Sequence, residues 1–398
     1  MSRSAGHAED HARAPRFYRP ELDALRFCAF LLVFVHHSLL DNTGEAVFGK
    51  NSAASRALAT VVPLVGHVGN FGMSLFFILS AYLITQLLLL ELDRTGTVHV
   101  KDFYTRRILR IWPLYFSFLG LSIVLGWIWP DPFQVTGGRI AAYLLLSGNW
   151  YVIKHTFGPM SMNILWSISV EEQFYLLWPG LVFFGRQRSR ILLATLAVSV
   201  VSLVSIALLG HAGCTNLSVW FNSLSQFLFF ATGAQLALYS HTHKIRWSGA
   251  LRALAVAGGL VCWFFAVGRL GIMLHLESPV PTLDLVAGYL LAALGTVLVF
   301  LAAVDLDRPV PQWLRYLGKI SYGLYVFHML MLTCTMWLLA RMAHGLGFHG
   351  RSLIAVKMMV PLAALAFTIG LAAASYRWLE TPFLRLRKRF TIVASRPI

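Results

Sequence analysis

Residues 19–40 read RPELDALRFCAFLLVFVHHSLL. A charged start at Glu21, Asp23 and Arg26 runs straight into an apolar span, and His36 and His37 sit deep inside that span. At about 1.5 Å rise per residue, Arg26 to His37 covers roughly 16 Å, half of a ~30 Å hydrocarbon core. At ~100° per residue the two side chains return to one helix face within about 20°, whereas His36 points roughly 80° away. With Arg26 at the membrane edge, His37 lies near the midplane, where an ionisable residue is a functional candidate by default. The competing reading is a histidine that only hydrogen-bonds to a neighbouring helix.

The rest of the composition supports a membrane setting. Of 398 residues, 57% are apolar and only 13% charged, with mean hydropathy +0.67. Soluble domains carry about 25% charged residues, so the chain reads as an all-α, polytopic integral membrane protein with no large soluble domain. A formal charge of +16 would point to nucleic acid in a soluble protein. Here the placement of the basic residues, described below, accounts for it and excludes a nucleic-acid partner. Residues 1–20 are polar, lack an apolar core and a cleavage site, and read as a disordered cytoplasmic tail. Residues 21–384 form the transmembrane domain and 385–398 a basic cytoplasmic tail. The four cysteines show no zinc or disulfide spacing. His241 and His243, beside Lys244, read as polar loop residues, so no metal site is expected.

Apolar runs place spans near 22–40, 68–90, 111–129, 165–185, 190–210, 219–239, 250–270, 283–304, 319–341 and 352–376. Segment 139–157 is weak, because its apolar run stops at Ser147-Gly148-Asn149. It is expected to be re-entrant or interfacial, leaving ten transmembrane helices with both termini cytoplasmic. The positive-inside rule agrees. The outer side would hold only Lys50, Arg56, Arg139, Lys154, Arg269, Arg341 and Arg351. Lys357 falls within the last span, and all the other basic residues fall inside. Counting 139–157 as a span would invert every later loop.

Nearly all acidic residues lie in tails, loops or span edges. Glu171 and Glu172 are exceptions, set into 165–185 at a level comparable with His37. A buried carboxylate needs a partner, and a midplane histidine is an obvious one. Bundle packing through Trp, Tyr or Ser is the alternative, and it weighs more heavily on Glu172. A third group is FYTRRILRIWPLYF, 103–116. Arg107 and Arg110 share a helical face beside Arg106 at the cytoplasmic entrance of a span. They suit either topological anchoring or a guanidinium fork for phosphates. A cationic mouth below a midplane His–Glu pair suggests group transfer within a membrane cavity.

Taken together, these strings resemble the bacterial membrane-bound acyltransferase family 3, the O-acyltransferases and O-acetyltransferases of glycans. The family's R-x10-H is matched by Arg26 and His37, which favours His37 over His36. GMSLFFILSAYLI (72–84) is similar to the family's second helix, with Ser74 where an acid is common and Ala81 where glycine is common. YTRRILRIWPLY (104–115), LWSISVEEQFYLLWP (165–179), GKISYGLYVFH (318–328) and SYRWLETPF (375–383) follow in the family's order. The resemblance implies transfer of an acyl group, expected to be acetyl, from cytoplasmic acyl-CoA to a hydroxyl of a carbohydrate or glycoconjugate. No tightly bound cofactor is implied. Some relatives carry a fused hydrolase-like domain, and this chain is expected to act as a stand-alone transferase in the bacterial cytoplasmic membrane.

In that reading His37 is the general base, oriented by Glu171, and Arg26, Arg106, Arg107 and Arg110 hold the phosphates of CoA. Glu172, Tyr175, Ser321 and Tyr322 are candidate substrate contacts. These side chains, with Tyr325, equally suit helix-packing hydrogen bonds, and His328 equally suits a structural role. Direct transfer and an acyl-His37 intermediate use the same residues, and both stay open. The rival from another class is a glycolipid transporter or flippase, which ten helices and intramembrane charges would also suit. The chain shows no clear internal repeat or paired broken helices of the kind common in transporters.

Overall fold

The structure, a computed structural model, describes residues 17–39, 53–129, 133–158, 160–347 and 351–393. For residues 53–60, 160, 161, 343 and 351–357 it describes the backbone alone. The expected tails therefore lie, for residues 1–16 and 394–398, outside the described residues, as does Lys50. The long helices are α1 (Pro20–Ser38), α2 (Ala53–Gly69), α3 (Phe71–Thr95), α4 (Val100–Ile128), α5 (Leu165–Gly185), α6 (Arg188–His211), α7 (Ser223–Thr242), α8 (Gly249–Gly268), α9 (Thr282–Ala303), α10 (Ser321–Gly345) and α11 (Arg351–Ser375). Among the described residues the only extended pairing is an isolated bridge between Thr215 and Pro279.

Each expected span coincides with one of these helices. Among the described residues seven helical segments are long and apolar enough to cross a membrane: Val61–Thr95, Val100–Ile128, Arg188–His211, Gly249–Gly268, Thr282–Ala303, Ser321–Met342 and Met358–Phe390. The protein is thus a multi-pass membrane protein. Helices α1, α5 and α7 are not among the seven, and their side chains explain why. They carry Glu21, Asp23, Arg26, His36 and His37, then Ser167, Ser169, Glu171, Glu172 and Gln173, then Ser223, Ser225 and Gln226. Most of these polar groups are buried or half-buried against other helices. The apolar outer faces belong instead to helices such as α6, where Leu193, Val200 and Leu208 stand exposed.

Two segments differ from the sequence reading. Residues 53–69, expected within an outer loop, form α2, which meets α3 at Asn70. Pro63 and Gly66 interrupt the apolar run there and hide the helix from a hydropathy scan. At the other end, α11 passes through a π-helical turn (Tyr376–Glu380) into the short helix Thr381–Arg387 and a turn at Lys388–Phe390. The basic tail expected from 385 therefore begins as a helix packed against α4. Arg106 donates to the Phe390 carbonyl at 2.7 Å and helps to hold it there.

Segment 139–157 forms two short helices, Gly137–Leu144 and Gly148–His155. Each is about 12 Å long, far too short to span. A closed polar network anchors the second. Gln173 donates to Asn149 Oδ1 at 3.0 Å, Asn149 donates to Ser223 Oγ at 2.8 Å, and Ser223 donates back to Gln173 Oε1 at 2.5 Å.

Helix α1 is the axis of the bundle, in contact with α2, α3, α10 and the helix Gln312–Lys319. It starts at Pro20 with Glu21 and Asp23 in its first turn, a proline and acidic groups where the free N–H groups and the helix dipole favour them. Three glycines let neighbours approach its backbone. A Cβ at Gly69, Gly72 or Gly318 would press into the carbonyl oxygen of Leu32, Ala29 or Asp23. Small residues at helix crossings are the usual means of close packing in lipid, where no hydrophobic force brings helices together. Gly72→Val therefore forces α3 away from α1. It should lower stability by about 1–3 kcal/mol, read as a reduced thermal midpoint of the detergent-purified protein; an unchanged midpoint would show that this contact is not tight.

Candidate active site

Five helices line one cavity. Helix α1 contributes Arg26. Helix α3 contributes Met73, Phe76, Phe77, Ser80, Leu83 and Ile84, and α4 contributes Arg107, Arg110 and Ile111. Ser167, Ile168, Glu171 and Tyr175 come from α5, and Ser321, Tyr322 and Tyr325 from α10. Five of the six strings quoted from the sequence thus converge here from widely separated parts of the chain.

The cavity holds three guanidiniums and one carboxylate. Glu171 Oε1 accepts from Ser80 Oγ at 2.5 Å and from the Tyr175 hydroxyl. Arg26 is braced from its own helix by Asp23, at 3.2 Å. Arg107 lies over the rings of Phe103 and Tyr175, its Cζ 5.5 Å from each centroid, and its buried Nε has no hydrogen-bond partner among the described residues. Arg110 makes no hydrogen bond or ion pair among the described residues; its nearby acid is the buried Glu380 of the π-helical turn. Arg387 brings a further guanidinium within electrostatic range of Arg107 and Arg110. Four guanidiniums against the carboxyl groups of Asp23, Glu171 and Glu380 leave an excess of positive charge in a low-dielectric setting, which is complementary to an anion.

Of the residues singled out in the sequence, Arg26, Arg107, Arg110, Glu171, Tyr175, Ser321 and Tyr322 line the cavity, and His37, Arg106 and Glu172 do not. Arg106 turns the other way, to Glu91 Oε2 at 3.0 Å and to the Phe390 carbonyl, so it braces α3, α4 and the C-terminal segment. Glu172 accepts from Trp112 Nε1 at 3.2 Å, a packing bond between α5 and α4. The Tyr322 hydroxyl donates to the Ile111 carbonyl at 2.9 Å, which commits it to holding α10 on α4. Tyr325 likewise donates to the Ile164 carbonyl at 3.0 Å and meets Ser167 Oγ at 2.7 Å.

The expected Glu171–His37 pair is not formed. Glu171 is engaged by Ser80 and Tyr175, while His37 belongs to a separate group of imidazoles. Its ring centroid lies 4.7 Å from that of His36 and 5.3 Å from that of His328, and His36 lies 5.9 Å from His67. His36 donates through Nδ1 to the Gly66 carbonyl at 2.8 Å, whereas half-buried His37 makes no hydrogen bond among the described residues. The reason is geometric. Three turns of α1 separate Arg26 from His37, and the cavity sits at the Arg26 end. Ser80 was missed because a lone serine in an apolar run signals nothing without its partner. Arg387 was missed because it was counted into a tail.

A cavity lined by three guanidiniums and enclosed by the helices of a multi-pass membrane protein defines the class: a membrane protein with a cationic internal cavity, and with imidazoles further along the helix that carries Arg26. The model of the acyltransferase domain matches residues 19–377. The chain belongs to the acyltransferase 3 family. It is 25% identical over 360 residues to the peptidoglycan O-acetyltransferase OatA of Listeria monocytogenes, covering 82% of this chain and 54% of that protein. It is also 25% identical over 357 residues to the O-acetyltransferase OatA of Staphylococcus aureus, covering 82% and 56%. The chain spans about half the length of the curated relatives it matches. No solved structure matches it.

Because the Tyr322 hydroxyl serves a backbone carbonyl, Tyr322→Phe should cost about 0.5–1.5 kcal/mol of stability and leave kcat within twofold of wild type. A large loss of kcat at unchanged thermal midpoint would instead place that hydroxyl on the substrate.

Proposed function

We propose that the protein transfers an acetyl group from acetyl-CoA, bound from the cytoplasmic side, to a hydroxyl of a cell-envelope carbohydrate, with both termini cytoplasmic. The observation that carries this reading is the separation, along a single helix, of a cluster of guanidiniums with an excess of positive charge from an imidazole that makes no hydrogen bond among the described residues. Arg26 and His37 lie roughly 16 Å apart along α1. Coenzyme A has a matching shape, a polyphosphate head joined to its thioester by a long flexible arm. A small acyl donor could not occupy both places at once. The relatives' names make peptidoglycan the first acceptor to test.

In this mechanism Arg26, Arg107 and Arg110, with Arg387 at the margin, bind the phosphates, and the pantetheine arm runs past Phe76 and Tyr325 toward His37. Glu171 acts on the arginine side of the site. It fixes Tyr175 and Ser80 and offsets part of the cationic charge, so that CoA is released after turnover. His37 takes the proton of the acceptor hydroxyl as its oxygen attacks the thioester carbonyl. The carbon–sulfur bond breaks, and the protonated imidazole returns the proton to the departing thiolate. An acyl-His37 intermediate uses the same groups, the imidazole then attacking first.

The substitution His37→Ala, in protein of normal thermal midpoint, should reduce release of CoA thiol from acetyl-CoA by about 10²–10⁴-fold. Transfer at near wild-type rate would remove His37 from the chemistry. Reversing the charge at Arg110 with Glu should raise KM for acetyl-CoA at least tenfold while leaving KM for soluble peptidoglycan fragments nearly unchanged. Equal effects on both would mean that Arg110 only anchors the helix.

A further inference from the structure

His328 lies beyond the cavity wall, fully buried on α10, one turn from Tyr325. Its Nδ1 sits 2.5 Å from the Tyr325 carbonyl. A carbonyl only accepts, so Nδ1 carries the proton and Nε2 holds a lone pair. That Nε2 is buried and has no hydrogen-bond partner among the described residues. Leaving such an acceptor unmet costs about 1–3 kcal/mol, so a fold that keeps one invites a functional explanation.

The surroundings of the ring narrow the answer. Phe30 and Phe34 pack against it at centroid distances of 6.0 and 6.4 Å, and Tyr325 at 5.5 Å, with its hydroxyl already committed to Ile164 and Ser167. The remaining ring neighbour is His37, at 5.3 Å and a 40° tilt. His37 sits in the last turn of α1, half-buried, and among the described residues no hydrogen bond holds its orientation.

We propose that His328, not Glu171, is the positioning residue for the imidazole of His37. This rests on the reading of His37 as the base. A modest rotation of the His37 side chain brings one ring N–H onto His328 Nε2. The other ring nitrogen then presents its lone pair to the acceptor hydroxyl. The Tyr325 carbonyl fixes the tautomer of His328, and His328 fixes that of His37, a relay of hydrogen bonds like those that set ring orientation in other histidine sites. No proton leaves His37 toward His328 in this scheme. When His37 becomes imidazolium, its N–H donates more strongly to the same lone pair, which stabilises the charge without placing a carboxylate beside it. Phe30 and Phe34 pack on the His328 ring and its Nε2 is buried, so water does not compete for that lone pair.

The test uses the full chain, purified in detergent, with acetyl-CoA and soluble peptidoglycan fragments. In His328→Phe, which keeps the ring but loses both nitrogens, kcat should fall about 10–100-fold, with KM for acetyl-CoA within twofold of wild type. In His328→Gln, the amide N–H still reaches the Tyr325 carbonyl and the amide oxygen still accepts from His37. It should recover at least tenfold of the lost kcat. Should the Phe variant fail to purify, His328→Leu against His328→Gln gives the same comparison. A Phe or Leu variant with wild-type kcat, or a Gln variant no better than either, overturns the proposal. The reading of His37 itself is judged separately. If His37→Ala is inactive and His328→Phe is not, only the present inference falls; if His37→Ala is active, both do.

Discussion

Like charges gathered out of water dominate this structure. Arg26, Arg107 and Arg110 face one cavity that contains a single carboxylate, Glu171, with Arg387 close by. Desolvating an ion costs several kcal/mol even after relaxation, and an unpaired one is not repaid by Coulomb attraction. The surrounding helices must therefore hold the guanidiniums in place by other means. The backs of the site are where these appear: Asp23 behind Arg26, and the aromatic faces of Phe103 and Tyr175 on Arg107. Each supports a cation without fully neutralising it. The cavity is left with a demand for negative charge that a ligand can meet.

Helix α1 converts that demand into geometry. Its lower end presents Arg26 to the anion site, and its upper end presents His37 to the imidazole group. Because glycines at 69, 72 and 318 let three neighbours pack directly on its backbone, the axis is rigidly enclosed. The spacing between the two ends is then a property of the helix itself. In the proposed mechanism three turns separate charge recognition from proton chemistry, and the donor reaches from one to the other. The layer between them is built from Tyr325, His328, Phe30 and Phe34 rather than from open space. In the proposed mechanism this layer admits the thioester and keeps out the water that would hydrolyse it.

The polar side chains of the membrane interior fall into two sets with different jobs. One set is closed on itself. The ring of Asn149, Gln173 and Ser223, the Tyr322 bond to Ile111 and the Trp112 bond to Glu172 all join one helix to another. The other set is open: among the described residues Arg107 Nε and His328 Nε2 are buried without partners, as are the second carboxylate oxygen of Glu172 and groups farther from the cavity such as Tyr143, Trp220 and Tyr289. Buried polar groups in hydrocarbon are normally satisfied, so each member of the open set costs stability; in the proposed mechanism Arg107 and His328 are the two whose cost serves the site.

Much of this was readable in the one-dimensional chain. The 3.6-residue period places Arg26 and His37 on one face whatever surrounds them, and each of the ten apolar spans read from hydropathy coincides with a helix. The local strings around Arg107, Glu171 and Tyr322 also ended at one cavity. What the chain could not reveal was adjacency. Helical period states which face a residue occupies but not which neighbour fills that face. Glu171 therefore found Ser80 and Tyr175 rather than His37, and Arg106 found Glu91 rather than the site. Helix α2, a continuous helix whose apolar run is interrupted by Pro63 and Gly66, escaped the reading of apolar spans. Local periodicity is set by backbone covalent geometry and is written in the sequence. The partner of a buried polar group is set by how ten or more helices cross, and only the packed bundle decides it.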